Sequence, residues 1–121
     1  MDIKATGFAS PALGYEEQAI DLNSLLIHNP PATYFLRLDT TDMEGLGLPR
    51  GSLLILDRSK GPNPNSLVLI RHDGQFFCRL MVKREGKILF TYGTAEITPV
   101  EDTEIIGSIT ASIKTYDNFS Y

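Results

Sequence analysis

The side chains that could act as nucleophile or base in this 121-residue chain are scattered, and their surroundings narrow the chemistry open to it. Thr40 and Thr41 precede Asp42 in a stretch punctuated by glycines. A hydroxyl there would need a base of matched pKa within hydrogen-bond reach. The lysines nearest in character are Lys60, in a Gly/Pro/Asn-rich loop, and Lys83, near the end of a hairpin arm. His28 stands before Asn29-Pro30-Pro31 and His72 before a turn, so both read as exposed turn residues. Cys78 is the single cysteine. It excludes an internal disulfide, fits a reducing compartment and reads as a small buried residue. No cluster has metal-ligand spacing and no glycine-rich phosphate loop occurs, so no metal or cofactor is implied.

The elements that would carry these residues are mostly strands. Asp21 is an expected N-cap for a short helix from Leu22 to His28, which Pro30-Pro31 stops. Residues 32–38 are β-rich, with Tyr34, Leu36 and Leu38 alternating against Phe35 and Arg37. Residues 40–51 carry three glycines and a proline, hence turn and loop. Residues 52–57 form an apolar run expected to be a strand buried on both faces. Leu67 to His72, Asp73-Gly74 and Gln75 to Lys83 give the clearest hairpin pattern, because Asp-Gly suits a type I′ turn. Glu85-Gly86 is a second turn, leading into residues 87–92, and a last strand runs over about 105–114. The pattern is that of a mainly β domain of several coiled sheets with one short helix.

Length fits one domain, read as an extended N-terminal arm over residues 1–14 and a β domain over 15–121. Apolar residues make up 42% and charged residues 21%, ordinary proportions for a globular protein. No apolar run has the length of a membrane span, and Met1-Asp2-Ile3-Lys4 lacks the layout of a secretion signal. Cytoplasm is the default location. The net charge is −4, and the densest basic stretch, Arg79 to Lys87, is interrupted by Leu80, Met81, Val82 and Glu85. Phosphate neutralisation supplies much of nucleic-acid affinity, so direct binding to DNA is not expected.

Three ordered segments give a resemblance. The first is Gly7-Phe8-Ala9-Ser10-Pro11-Ala12, then Tyr15-Glu16-Glu17-Gln18, then Ile20 to Ile27. The second is Ala32-Thr33-Tyr34-Phe35, followed by Met43, Gly47 and Gly51 to Asp57; the third is Leu67 to Ile70 with Asp73-Gly74-Gln75-Phe76. In this order and spacing the chain resembles the UmuD/LexA family of self-cleaving serine peptidases over residues 7–80, with a looser match through Ile106-Gly107-Ser108-Ile109. The resemblance implies the family's compact β domain and pairing as a homodimer through strands near the C-terminus. Ile105, Ile106, Ile109 and Ile113 could serve that interface, or they could simply face the monomer's own core.

In that family a serine attacks a peptide carbonyl and a neutral lysine takes its proton. The serine lies in a Gly-Asp-Ser-Met motif, where this chain reads Thr40-Thr41-Asp42-Met43, so Asp42 takes its position. The lysine follows the Asp-Gly hairpin turn. Ungapped from Asp73-Gly74, Arg79 takes that position; a one-residue gap would put Cys78 there instead. The ungapped register is preferred, because a gap in a hairpin arm flips side-chain facing. Arginine stays protonated and cannot act as a base, and an ionised Asp42 has no proton to lose. The two are expected to form a hydrogen-bonded ion pair instead. A shifted dyad of Thr41 with Lys83 would have to bridge the roughly 13 Å that separates Lys83 from Arg79 along one strand face.

The family's own substrate is an N-terminal arm, cut just before a glycine. The similar glycine here is Gly7, preceded by Thr6 rather than the usual small alanine or cysteine, with six residues upstream. The chain is thus expected to resemble the processed form, with a degenerate cleavage site. The resemblance implies a non-proteolytic accessory subunit in SOS-linked translesion synthesis, partnering a UmuC-like polymerase. Alternatives are a decoy that pairs with a full-length UmuD- or LexA-like chain, or a peptidase using a shifted nucleophile such as Thr41. A repressor fragment would lack a DNA-binding domain in this chain.

Overall fold

A computed structural model describes residues 21–92, 96–97 and 103–116. The expected arm over residues 1–14, its boundary with the domain, and Thr6 and Gly7 lie outside the described residues. The chain opens with helix α1, Leu22–Leu26. Asp21 caps it: its carboxylate accepts from the Asn23 N–H at 3.0 Å and the Ser24 N–H at 3.4 Å. The helix is shorter than its expected reach to His28. Ile27 already turns extended, and the His28 ring donates Nε2–H to the Leu25 carbonyl at 3.0 Å, taking a helix-end acceptor. A 3₁₀ turn over Pro30–Ala32 follows.

Seven strands come next: β1 Thr33–Arg37, β2 Leu53–Asp57, β3 Leu67–His72, β4 Gln75–Arg84, β5 Lys87–Thr91, β6 Glu96–Ile97 and β7 Glu104–Ile113. They join in one sheet ordered β1-β2-β7-β3-β4-β5-β6, every pairing antiparallel. The expectation of several coiled sheets thus resolves into one ladder among the described residues. The Asp73-Gly74 turn has the anticipated geometry, and the second turn, Glu85-Gly86, shares it. Asp73 and Gly74 sit at φ +52° and +76°, Glu85 and Gly86 at +51° and +78°, the paired positive φ of type I′ turns.

Two bulges, both absorbed by β7, bend this sheet. Register slips opposite Ile55/Leu56, skipping Thr110, and opposite Leu69/Ile70, skipping Ile106. Between them Gly107 passes close to the end of β2. A Cβ on it would stand 2.7 Å from the Asp57 carbonyl oxygen and 2.9 Å from Arg58 Cα, so only glycine fits. The slips also scatter the four isoleucines. Ile109 is 8% exposed and belongs to the core cluster of Leu38, Met43, Leu48, Leu54, Leu56 and Cys78. Ile106 packs partly against that cluster, and Ile105 against a second one of Val68, Ile70, Met81 and Phe90. Ile113, 37% exposed, is the one with substantial surface. Ile109 is thus committed to the monomer's own core, and Ile113 keeps the most surface of the four.

The two clusters explain why β2 and β3 read as near-continuous apolar runs. Leu67 and Leu69 face the first cluster, while Val68 and Ile70 are in the second. Along β2 Leu54, Ile55, Leu56 and Asp57 are all buried.

Candidate functional site

The loop between β1 and β2 is a folded connection that carries Asp42. Leu38 N–H donates to Ser52 O at 2.9 Å and Gly51 N–H to Leu38 O at 2.8 Å, closing the loop at its base. At its middle, Met43 is fully buried (0% exposed) in the first core cluster. Its carbonyl accepts from the N–H groups of Leu46 and Leu48 at 3.0 and 3.1 Å. Asp42 is positioned by that anchor, and by its own N–H donating to Thr40 Oγ1 at 3.1 Å. The Asp42 backbone, next to a fully buried methionine, has little freedom to drift.

Arg79 comes from the opposite side. It lies on β4, paired with Val68 of β3, and its side chain is only 5% exposed. Its guanidinium carbon sits 5.0 Å from the Phe77 ring centroid and 4.8 Å from that of Tyr92, within cation–π range of both. Nη1 donates to the Cys78 carbonyl at 2.8 Å. Nη2 lies 3.6 Å from Asp42 Oδ2. That is an ion pair by distance, but longer than the hydrogen bond expected from the sequence. The cause is visible: two rings and the Cys78 carbonyl hold the guanidinium, while the Asp42 carboxylate, 49% exposed, is shared with water. Arg79 Nε is buried with no hydrogen-bond partner among the described residues.

These residues border a cleft of about 520 Å³. Thr40, Asp42 and Arg79 stand on its wall among Leu36, Leu38, Leu54 and Leu69, with Phe76 and Phe77 beside them. The neighbouring Cys78, 5% exposed, is packed in the core as expected. Burial pushes its thiol pKa from 9.0 to about 11, against the opposing pull of the Arg79 charge. A thiol so protonated is a poor nucleophile at neutral pH.

Of the other sequence candidates Thr40 borders the cleft, while Thr41, Lys60, Lys83, His28 and His72 are not part of its lining. Lys83 is exposed near the end of β4, opposite Ile88, and Lys60 is an exposed loop residue. Thr41 is exposed, and Thr40 Oγ1 is engaged as the acceptor for Asp42. His28 is exposed as anticipated. His72 is half-buried instead, because its Nδ1 is hydrogen-bonded to Thr103 Oγ1 at 2.7 Å and its ring leans on Phe77. Among the described residues no group of three or more His, Cys, Asp or Glu side chains is arranged to hold a metal, and no helix is long and apolar enough to cross a membrane. The sequence reading missed the aromatic slot around Arg79. Phe77, two residues away on the same strand face, was a usable signal; Tyr92 is brought in by tertiary structure alone.

The family model described as Peptidase S24-like matches residues 1–110. Protein ImpA of Salmonella typhimurium is 41% identical over 78 residues, covering 64% of this chain and 54% of ImpA. Protein SamA of Salmonella typhimurium strain LT2 is 34% identical over 108 residues, 88% of this chain and 77% of SamA. Protein MucA of Escherichia coli is 32% identical over 114 residues, 90% of this chain and 78% of MucA. The chain spans about half the length of ImpA and more than three quarters of SamA and MucA.

Proposed function

The chain belongs to the Peptidase S24-like family and carries a UmuD/LexA-type domain, and we propose that within it this member works by binding rather than by cleavage. In this reading Asp42 and Arg79 take the positions of the family's serine and lysine. The observation that carries it is the buried guanidinium of Arg79, with Nη2 3.6 Å from the Asp42 carboxylate at the wall of the cleft. A lysine in such an apolar slot would have its pKa depressed and could serve as a neutral base. An arginine there keeps its proton at any physiological pH. Asp42, ionised, offers no hydroxyl for acyl transfer.

The role that follows is a non-proteolytic, UmuD-like accessory subunit in SOS-linked mutagenesis, cytoplasmic and homodimeric, with a UmuC-like Y-family polymerase as partner. A full-length UmuD- or LexA-like chain is the alternative partner, with this protein as its decoy. Incubation of the purified chain with a UmuD-like arm peptide tests the catalytic half of the proposal. No cleavage is expected; turnover that disappears in Thr41→Ala would overturn it in favour of a shifted nucleophile. Affinity capture from the source cell tests the partner. Recovery of neither a polymerase nor a UmuD/LexA-like chain would count against both forms.

A further inference from the structure

Arg79 is under-satisfied for a buried charge. A guanidinium carries five N–H donors, and among the described residues it makes one hydrogen bond, from Nη1 to Cys78 O. Within that same set Nη2 has only the 3.6 Å contact with Asp42, and Nε has no hydrogen-bond partner among the described residues. Buried polar groups are ordinarily satisfied, and a buried charge lacking full hydrogen bonding is costly. The group is nevertheless well held, by Phe77 on one side, Tyr92 on another and the Cys78 carbonyl. A rigid, permanently charged donor set beside an open cleft is preorganised for an anion, because little side-chain freedom is left to lose on binding.

The cleft specifies the rest of the ligand. Its volume of about 520 Å³ falls in the range of small-ligand sites. Leu36, Leu38, Leu54, Leu69 and Phe77 give it apolar walls, and Phe76, 63% exposed, stands at its lip. The geometry points to a carboxylate-binding cleft: the carboxylate of an apolar peptide segment pairs with Arg79 while neighbouring side chains fill the apolar walls. This rests on the binding role proposed above and names the ligand class of that same site. The carboxylate belongs to a free peptide C-terminus or to an acidic side chain; both present the planar acceptor that a guanidinium matches.

Asp42 then acts as an internal competitor. Its carboxylate is 49% exposed and stands beyond hydrogen-bond distance of Nη2, so a ligand carboxylate can displace it toward water. The two residues therefore have opposite effects on affinity. Loss of Arg79 removes the receptor, whereas neutralising Asp42 removes its rival.

Isothermal titration of the full chain tests this with three peptides: acetyl-Ala-Ala-Leu-Leu as the free acid, the same peptide as its amide, and acetyl-Ala-Glu-Leu-Leu amide. At least one carboxylate peptide is expected to bind about tenfold or more tightly than the neutral amide, and the tighter of the two identifies the source of the carboxylate. Arg79→Met reduces it to the level of the amide. Asp42→Asn tightens it by up to about fivefold, the worth of a partly exposed ion pair. Should Arg79→Met fail to fold by circular dichroism, the Asp42→Asn comparison still decides. Equal binding of all three peptides, or none, overturns the carboxylate cleft and leaves the non-proteolytic role standing. Mass spectrometry of the same mixtures separates the two claims, since cleaved peptide would overturn that role, and the cleft inference resting on it.

Discussion

Replacing Asp42 by Asn and Arg79 by Met, singly and together, measures what the contact at the cleft is worth. At 3.6 Å two unit charges attract by about 1 kcal/mol in water and about 4–5 kcal/mol at an effective dielectric of ~20. The Asp42 side chain is 49% exposed, so screening pulls the coupling toward the lower figure, about 1 kcal/mol. Asp42→Asn should destabilise by about that amount, because it leaves Arg79 buried without its counter-charge. Arg79→Met behaves differently. It forfeits contacts with Phe77 and Tyr92 of about 0.5–1 kcal/mol each, but it also removes the charge and the unpartnered Nε. The thioether recovers part of the ring contact, and Asp42 is simply hydrated. Arg79→Met should therefore fall within about 1 kcal/mol of the parent, and the double variant should match it. Urea unfolding is the assay, where 1 kcal/mol moves the midpoint by roughly 0.3–1 M at unchanged slope. Effects that add, giving no coupling, would show that the two charges do not sense each other. A coupling above about 3 kcal/mol would show a dry pair, contrary to the exposure of Asp42.

Gly107→Ala should lower stability by about 1–3 kcal/mol, read as a reduced urea midpoint, because the new methyl would stand 2.7 Å from the Asp57 carbonyl oxygen. Glu85→Asn should raise thermal stability by about 0.5–1 kcal/mol, since Glu85 occupies φ +51°, a conformation asparagine tolerates better. Cys78 gives a pH signature. Its folded pKa of about 11 exceeds the ordinary 9.0, so between these values the unfolded chain has lost the thiol proton that the folded chain keeps. Stability from this group is complete below pH 9 and declines by roughly 2–3 kcal/mol toward pH 11. Unfolding curves of the parent and Cys78→Ala across that window should converge as pH rises. Parallel curves would refute the buried thiol.

Most of the strand plan was legible because it rests on local chemistry. Asp73-Gly74 and Glu85-Gly86 could do little but turn, and the unbroken apolar run of β2 announced burial on both sides. Asp21 was readable as a cap from its carboxylate and position alone. The bulges in β7 were not legible. They arise where β7 pairs with two different strands, β2 skipping Thr110 and β3 skipping Ile106, and no local pattern encodes that. For this reason the sequence left the four isoleucines open between interface and core, and in space Ile106 and Ile109 join one cluster, Ile105 packs on the other and Ile113 stays exposed. β6 escaped for a related cause: Glu96–Ile97 is two residues long, too short for any period to show. The approach of Asp42 to Arg79 was readable only through the family resemblance, since 36 intervening residues separate them and nothing local couples them. Their looser spacing goes with the hold of Phe77, Tyr92 and the Cys78 carbonyl on the guanidinium, and of these Tyr92 is brought near only by the tertiary fold.

The difference between lysine and arginine at the cleft is one of reversibility. A lysine in an apolar slot can escape the cost of burial by losing its proton, and that neutral amine is what a proton-transfer dyad uses. A guanidinium has no such exit. Its charge must be balanced by whatever the fold or a ligand provides, and here the fold provides two ring faces, one carbonyl and a carboxylate half in water. The property that disqualifies Arg79 as a base, a charge that persists at every physiological pH, is the property an anion receptor needs. In the proposed reading, exchange of a titratable cation for a permanent one thus does two things with a single side chain: it removes the base from a peptidase cleft and leaves a fixed positive anchor among apolar walls.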